Sequence, residues 1–385
     1  MKKFLVFMML HLSLIFSGFL IGSFSVSLPL IMSELGFSDA QMGILGSSNL
    51  WGMMIGALSF GFLADRLGRK RLIIISFAMA VLINGMIFFI SSYSLFIILR
   101  FTTGIGIGAI TPLTVSLLSE YFSEQRRTML LTTLMTGIPI GQLIVALSSM
   151  IILESFHWRL LFLMGMFGLL LILLMMLLLP ETLPVAAIKQ KQEQLFQRKY
   201  LRNLIPLCLV FFSNLYVFYG VTIWLPGLMA IQGVALISGI LFLAVFLVGN
   251  ISIPILAGGI SERWGYKKVM SFFYLGLIVM IALLSQGHDG ALNFLFVFLV
   301  GGCVGVAQNM IVAISPRFFP AHMRGSAIGL CSACSRIGSA VAPIIVGFLV
   351  TAQMLPGQIF MTFIIPAIIG MIGMLSTCSL RVKAL

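Results

Sequence analysis

Acidic side chains are scarce in this chain: 10 Asp and Glu stand among 385 residues, against 23 Lys and Arg. Charged residues of both signs make up only 9%, where soluble domains carry about 25%. That shortage excludes a soluble globule, and a hydrophobic share of 60% places the chain in a bilayer. Cysteine is equally sparse. Cys208, Cys303, Cys331, Cys334 and Cys378 all fall in apolar stretches, and Cys331-x-x-Cys334 is the sole pair with metal-like spacing. On an apolar helix such residues read as small packing groups, so neither a metal nor a cofactor is expected. No nucleophile or carboxylate pair stands out, and the chain is not read as an enzyme.

What is abundant is long apolar sequence. A hydrocarbon layer about 30 Å thick needs roughly 20 apolar residues per helix, and charged or Pro/Gly-rich breaks divide the chain into twelve such stretches. They are predicted near 5–30, 41–64, 72–92, 94–119, 128–152, 158–179, 203–230, 237–260, 269–286, 291–315, 325–350 and 356–378. The fold class is thus all-α integral membrane. Lys2 and Lys3 ahead of an apolar run imitate a signal peptide, but the run to Pro29 exceeds the usual apolar core and a second span follows closely; an uncleaved first helix is expected.

The net charge of +13 is distributed by topology. With the amino terminus inside, Lys2, Lys3, Arg66, Arg69, Lys70, Arg71, Arg126, Arg127, Lys189, Lys191, Arg198, Lys199, Arg202, Arg263, Lys267, Lys268, Arg317, Arg324, Arg381 and Lys383 all fall on one side. That is the positive-inside bias, with both termini cytoplasmic. Arg159 lies on the other side, and Arg100 and Arg336 lie within spans. No clustered basic face remains for nucleic acid.

One unit occurs twice. Gly61, Asp65, Arg66, Gly68, Lys70 and Arg71 meet Gly258, Glu262, Arg263, Gly265, Lys267 and Lys268 at a constant offset of 197 residues, and Gly104 and Gly108 meet Gly301 and Gly305 at the same offset. This divides the chain into a first half over 1–180, a short basic linker over 181–202 and a second half over 203–385. The glycines permit a tight exit from a helix, and an acid at a fixed place between them is more than a basic anchor requires. Gly61-x-x-x-Asp65-Arg66-x-Gly68-Arg69-Lys70 resembles the loop signature of the major facilitator superfamily, transporters built from two six-helix halves. The resemblance implies alternating access, with Gly61, Asp65, Arg66, Gly68, Arg69, Glu262, Arg263 and Gly265 acting as a conformational latch. Asp65 and Glu120 are the candidates for a proton or charge relay.

Gly104, Gly106 and Gly108 tempt a nucleotide-loop reading, but that fingerprint must follow a strand and these residues occupy a membrane helix. Close helix packing explains them. The small and hydroxyl residues of the first span, Ser13, Ser17, Gly18, Gly22, Ser23, Ser25 and Ser27, read the same way, with His11 near the cytoplasmic interface. Glu34 and Asp39 are expected in a solvated external loop, and Trp224 in an interfacial aromatic belt. Gln142, Asn214, Tyr219 and Asn309 lie deeper and are candidates to line a site; Gln308 and Asn309 are adjacent and so point in different directions.

Two arginines remain. Arg100 lies about six residues, ~9 Å, into its span, and Arg336 about eleven residues, ~16 Å, into its own, near the bilayer middle. A central arginine costs about 2.5 to 3.5 kcal/mol on insertion scales, and no acid stands near the middle of any span. A bound anion, ideally a carboxylate taken in bidentate fashion, would supply the partner. The alternative is a guanidinium bonded to backbone carbonyls at a helix break near Pro343.

Taken together, Arg100 with Gly104 and Gly108, Pro112 and Ser119-Glu120-Tyr121, Gly137-x-Pro139-x-Gly141, Trp158-Arg159, Pro180-Glu181 and Arg336-x-Gly338-x-x-x-x-Pro343 resemble the aromatic acid/proton symporters and their organic-anion relatives. The resemblance implies secondary transport of a small aromatic or aliphatic carboxylate, inward with protons, by an inner-membrane monomer in contact with lipid, with Arg336, Arg100, Gln142, Asn214, Tyr219 and Asn309 binding the cargo. One departure bears on the coupling: those symporters usually carry an Asp in the first span, and residues 5–30 contain no acid. The competing expectation is a proton-driven exporter on the same scaffold. Exporters commonly place a Gly-Pro pair ahead of paired glycines in the fifth span, a pattern this chain lacks.

Overall fold

A computed structural model describes residues 2–122, 130–131, 133–180, 198–287, 291–319 and 324–377. Twelve helical spans follow one another: α1 (Lys2–Leu35), α2 (Asp39–Leu67), α3 (Arg69–Met86), α4 (Tyr93–Tyr121), α5 (Thr133–Ser155), α6 (Arg159–Leu178), α7 (Arg198–Ile231), α8 (Leu236–Trp264), α9 (Tyr266–Leu284), α10 (Ala291–Ile314), α11 (Arg324–Thr351) and α12 (Pro356–Ser376). Eleven are long and apolar enough to cross a membrane. The other, α2, has the length at 29 residues, but Ser47, Ser48, Asn49 and its glycines dilute its hydropathy. Helix α1 continues through Pro29, where the sequence suggested an end; proline is tolerated in membrane helices because neighbours satisfy the freed backbone.

The twelve helices form two pseudo-symmetric halves of six, and the reason is visible in their packing. Lipid offers no hydrophobic force between helices, so small residues must let backbones touch. A Cβ added at Gly52 would overlap the Phe101 carbonyl, and one at Gly249 would overlap that of Phe298. Gly104 lies against Asn49 as Gly301 lies against Phe246; Gly108 lies against Met53 as Gly305 lies against Asn250. Each pair is related by 197 residues, so the repeat legible in the sequence is a repeat of contacts between α2 and α4, then α8 and α10. At one position the glycine changes helix: Gly56 faces Ile105 in the first half, whereas Ile253 faces Gly302 in the second. Either arrangement leaves room for one side chain between two backbones.

The helix pairs α1·α5 and α7·α11 repeat in the same way. Gly141 meets the Ile15 carbonyl, and Gly338 meets that of Phe212. Pro139 and Arg336 therefore occupy equivalent places, each two residues before the contact glycine.

By contact the chain divides into two compact units: residues 1–187, 222–244 and 343–351, and residues 188–221, 245–342 and 352–385. Within the first, the far ends of α7 and α11 pack on α1 and α2. A Cβ on Gly43 would lie 2.6 Å from the Pro343 carbonyl oxygen, and one on Gly347 would lie 2.7 Å from that of Asp39. Trp224 is fully buried here and its Nε1 donates to the Pro343 carbonyl at 3.0 Å. The interfacial belt expected for Trp224 is thus incorrect: a buried indole needs an acceptor, and the α11 backbone provides one.

Glycine substitutions should separate contact from mere flexibility. Gly104→Ala pushes a methyl into backbone that cannot yield and should lower the thermal midpoint, by overpacking worth about 1–3 kcal/mol. Gly329, exposed on α11 with open space around it, should tolerate alanine or gain up to about 1 kcal/mol from helix propensity. Melting curves of the two variants in detergent check the contrast.

Candidate functional site

The deepest feature of the second unit is Arg336. It is the thirteenth residue of α11, half-buried, and its guanidinium lies close enough to the Tyr219 hydroxyl on α7 to share a hydrogen bond with it. No ion pair among the described residues reaches Arg336. Tyr219 is itself buried, its ring against Phe218 at 5.1 Å; a separate row runs through Phe212, Tyr216 and Phe363 with centroid separations of 6.0 and 6.1 Å. A cation beside a phenol suits an anion that can take charge-assisted hydrogen bonds.

Asn214, also buried, does not reach Arg336. Its Nδ2 donates to Gln308 Oε1 on α10 at 2.5 Å, leaving its own Oδ1 buried without a partner among the described groups. The residue that joins Asn214 is therefore Gln308, one position before the expected Asn309. Adjacent helical residues diverge by about 100°, so only one of the two could face α7. Polar adjacency in the sequence signalled the pair but not which member turned inward. Asn309 is half-buried.

In the first unit, Arg100 is 1% exposed, with Nε and Nη1 lacking partners among the described groups. Its guanidinium stacks over Phe24 with 4.2 Å to the ring centroid, and its backbone carbonyl accepts from Asn49 Nδ2 at 3.0 Å. An analogous bond runs from Asn250 Nδ2 to the Gly301 carbonyl at 3.2 Å, one helical turn along from the strict repeat. Gln142 is buried on α5 beside Gly22, with Oε1 unpartnered. The candidate residues thus fall into separate clusters: Arg336 with Tyr219, Asn214 with Gln308, Arg100 with Phe24, and Gln142 against Gly22.

Of the residues expected to form a latch, Gly68, Arg69 and Gly265 are described. Gly68 and Gly265 have φ of 87° and 82°, a region open to glycine and strained for other residues, and both join a helix to the next without a loop. Arg69 begins α3. The surroundings of Gly61 and the side chains of Asp65, Arg66, Glu120, Glu262 and Arg263 lie outside the described residues. At the same end, Lys267 Nζ donates to the Thr377 carbonyl and, at 3.4 Å, to that of Leu375, so a cation caps the last turn of α12.

At the opposite end Glu34 is exposed, as expected, but it lies in a helix and not in a loop. Helix α1 extends to Leu35, and Glu34 accepts from Trp158 Nε1 at 2.5 Å and Arg159 Nη2 at 3.3 Å and pairs with His157 Nε2 at 2.8 Å. Arg159 also donates to Ser91 Oγ at 2.9 Å and to the Phe88 carbonyl at 3.4 Å. Trp158-Arg159 ties α1, α6 and the turn before α4 together.

A sequence profile described as Major Facilitator Superfamily matches residues 10–290 and 241–383. The chain belongs to this superfamily of transporters. It is 28% identical to the benzoate transport protein of Acinetobacter baylyi, over 94% of this chain and 86% of that protein. It is also 28% identical to the cis,cis-muconate transport protein of the same organism, over 94% and 90%. Among solved structures, that of a D-xylose-proton symporter superposes with a TM-score of 0.84 over the whole of both chains at 18% identity, which shows a shared fold. An enzyme is excluded by this membership, and the multi-pass membrane architecture is that of a secondary transporter.

The Asn214–Gln308 pair offers a stability test. Gln308→Leu strands a buried amide and should cost about 1–3 kcal/mol; changing both residues to Leu removes donor and acceptor together and should recover most of it. Thermal unfolding of the single and double variants reads the coupling. Failure of the double variant to recover would show that the two amides do not serve each other.

Proposed function

We propose that this chain takes up a small organic anion, an aromatic or aliphatic carboxylate, across the inner membrane by alternating access, with both termini in the cytoplasm. The single observation that carries the reading is Arg336: a guanidinium near mid-helix beside the Tyr219 phenol, in a chain whose acids stand at helix ends or between helices. Its relatives include proteins named for benzoate and muconate transport, which agrees with a carboxylate as the missing partner. Arg336 grips the carboxylate and Tyr219 orients the guanidinium. Arg100 tunes the field of the first half, and Gln142, Asn214 and Asn309 supply polar contacts. The halves 1–180 and 203–385 rock about the basic linker, with Asp65, Arg66 and Arg69, and Glu262 and Arg263, latching the cytoplasmic side around Gly61, Gly68 and Gly265. The positive-inside distribution of Lys and Arg supports the orientation. The protein acts as a monomer surrounded by lipid and takes no nucleic acid.

The arginine separates this reading from a purely structural one. Arg336→Gln, at normal protein level, should weaken carboxylate binding by more than about tenfold, the scale of a lost charge-assisted bidentate contact. Arg336→Lys keeps charge without the planar fork and should fall between. Tyr219→Phe should weaken binding several-fold, in keeping with about 0.5–1.5 kcal/mol for one hydrogen bond. Ligand-induced thermal shifts with benzoate and muconate measure all three; unchanged affinity in Arg336→Gln would remove the anion site.

A further inference from the structure

Cysteines from two helices meet on one seam of the second unit. Cys331 and Cys334 stand three residues apart on α11 and so share a face, and Cys208 comes to them from α7. The Cys208 and Cys331 sulfurs are 3.7 Å apart, and the Cys208 thiol also shares a hydrogen bond with Cys334. All three are free thiols. Cys303 is elsewhere, buried on α10 against Gly276, and Cys378 lies outside the described residues. Packing accounts for a single buried sulfur, but it does not call for sulfur from both helices at one contact. Among the described residues no three such groups are placed to hold a metal ion, which leaves the chemistry of a thiol pair.

The seam is fixed by close backbone approach. A Cβ on Gly338 would lie 2.3 Å from the Phe212 carbonyl oxygen, and one on Gly220 would lie 3.3 Å from the Ala342 Cβ, so α7 and α11 are held together beyond the thiols. Arg336 stands between Cys334 and Gly338 on α11, and its bond to Tyr219 crosses the same seam.

Two thiols in contact are one oxidation from a bond. Hydrogen peroxide, small and uncharged, is the oxidant. It takes Cys208, the half-exposed member of the pair, to a sulfenic acid with release of one water. The Cys331 sulfur then attacks the Cys208 sulfur: the S–S bond forms, the S–O bond breaks, and the hydroxyl leaves with the Cys331 proton as a second water. Two thiols and one peroxide give one disulfide and two waters, the two electrons lost by sulfur having reduced the O–O bond. Apolar surroundings slow the first step, since the thiolate is the reactive form, but a partner already in contact speeds the second. The sulfenic acid is therefore captured before another peroxide carries it to the irreversible sulfinic acid.

We propose that Cys208 and Cys331 are a reversible modification site: a hydroperoxide joins them in a disulfide that staples α7 to α11 and weakens anion binding at the neighbouring Arg336. The bond brings the sulfurs from 3.7 Å to about 2.05 Å, which draws the helices together at that level. The contact of Gly338 with Phe212 cannot yield, so the helices turn about it, and Arg336, carried between the two points, shifts against Tyr219. The crosslink stands on the thiol geometry alone, whereas its effect on binding rests on the carboxylate reading of Arg336.

Purified full-length protein in detergent, treated with hydrogen peroxide and then digested for mass spectrometry, tests the site. A peptide pair joined through Cys208 and Cys331, lighter by two hydrogens than its separate parts, should appear and should vanish with dithiothreitol. It should be absent from Cys208→Ser and Cys331→Ala and should persist in Cys334→Ala. Sulfinic acids without a crosslink, unreacted thiols, or Cys208 joined to Cys334 instead would overturn the assignment. Ligand-induced thermal shifts with benzoate, on the same samples, read the consequence: oxidation should weaken affinity by roughly two- to tenfold, the equivalent of one lost hydrogen bond, and dithiothreitol should restore it. Cys208→Ser should bind benzoate normally and ignore peroxide. Unchanged affinity in crosslinked protein would overturn the regulatory effect. A crosslink in protein that binds neither benzoate nor muconate before oxidation would overturn the carboxylate reading and that effect with it, and would leave the disulfide site standing.

Discussion

Backbone-to-backbone contact is the constraint on which this structure depends. In hydrocarbon, apolar side chains gain nothing by leaving lipid for each other, so helices associate where their surfaces fit closely. Here the fit is made by glycines facing carbonyls: Gly52, Gly104 and Gly108 between α2 and α4, Gly249, Gly301 and Gly305 between α8 and α10. The exchange of Gly56 and Ile105 for Ile253 and Gly302 shows that what the fold conserves between its halves is the space between two backbones. Which helix supplies the small residue is free to vary.

The same contacts set the positions of the polar groups. Gly338 holds α11 against α7 at Phe212, and two residues earlier Arg336 reaches Tyr219. Asn49 and Asn250 donate across the glycine contacts to carbonyls of the partner helix, which satisfies their Nδ2 groups away from water. Among the described groups, Arg100 stacks on Phe24 and its Nε and Nη1 are unpaired. An unbalanced positive interior follows, in keeping with an anionic cargo.

Much of this was legible in the sequence because its physical origin is local. Long apolar runs, Lys and Arg concentrated in alternate connections, and a repeat at 197 residues are visible without any tertiary contact. Arg336 stood out because an unpaired central arginine is rare in a membrane helix. Other features were misjudged for identifiable reasons. Glu34 lay just past Pro29, which appeared to end α1, yet the helix ran on and met His157, Trp158 and Arg159. Trp224 had the composition of an interfacial residue, and burial beside Pro343 depends on a helix more than a hundred residues away.

By itself the sequence determined the number of spans, the twofold repeat and the superfamily, since each follows from composition and spacing along one chain. Only the tertiary structure decided which polar groups meet. Sequence adjacency marked Gln308 and Asn309 alike, but helical rotation turned Gln308 to Asn214. It likewise set Tyr219 beside Arg336 and left Arg100 sealed against Phe24, because these meetings depend on the azimuth and depth of two helices at once, which no single stretch of sequence encodes.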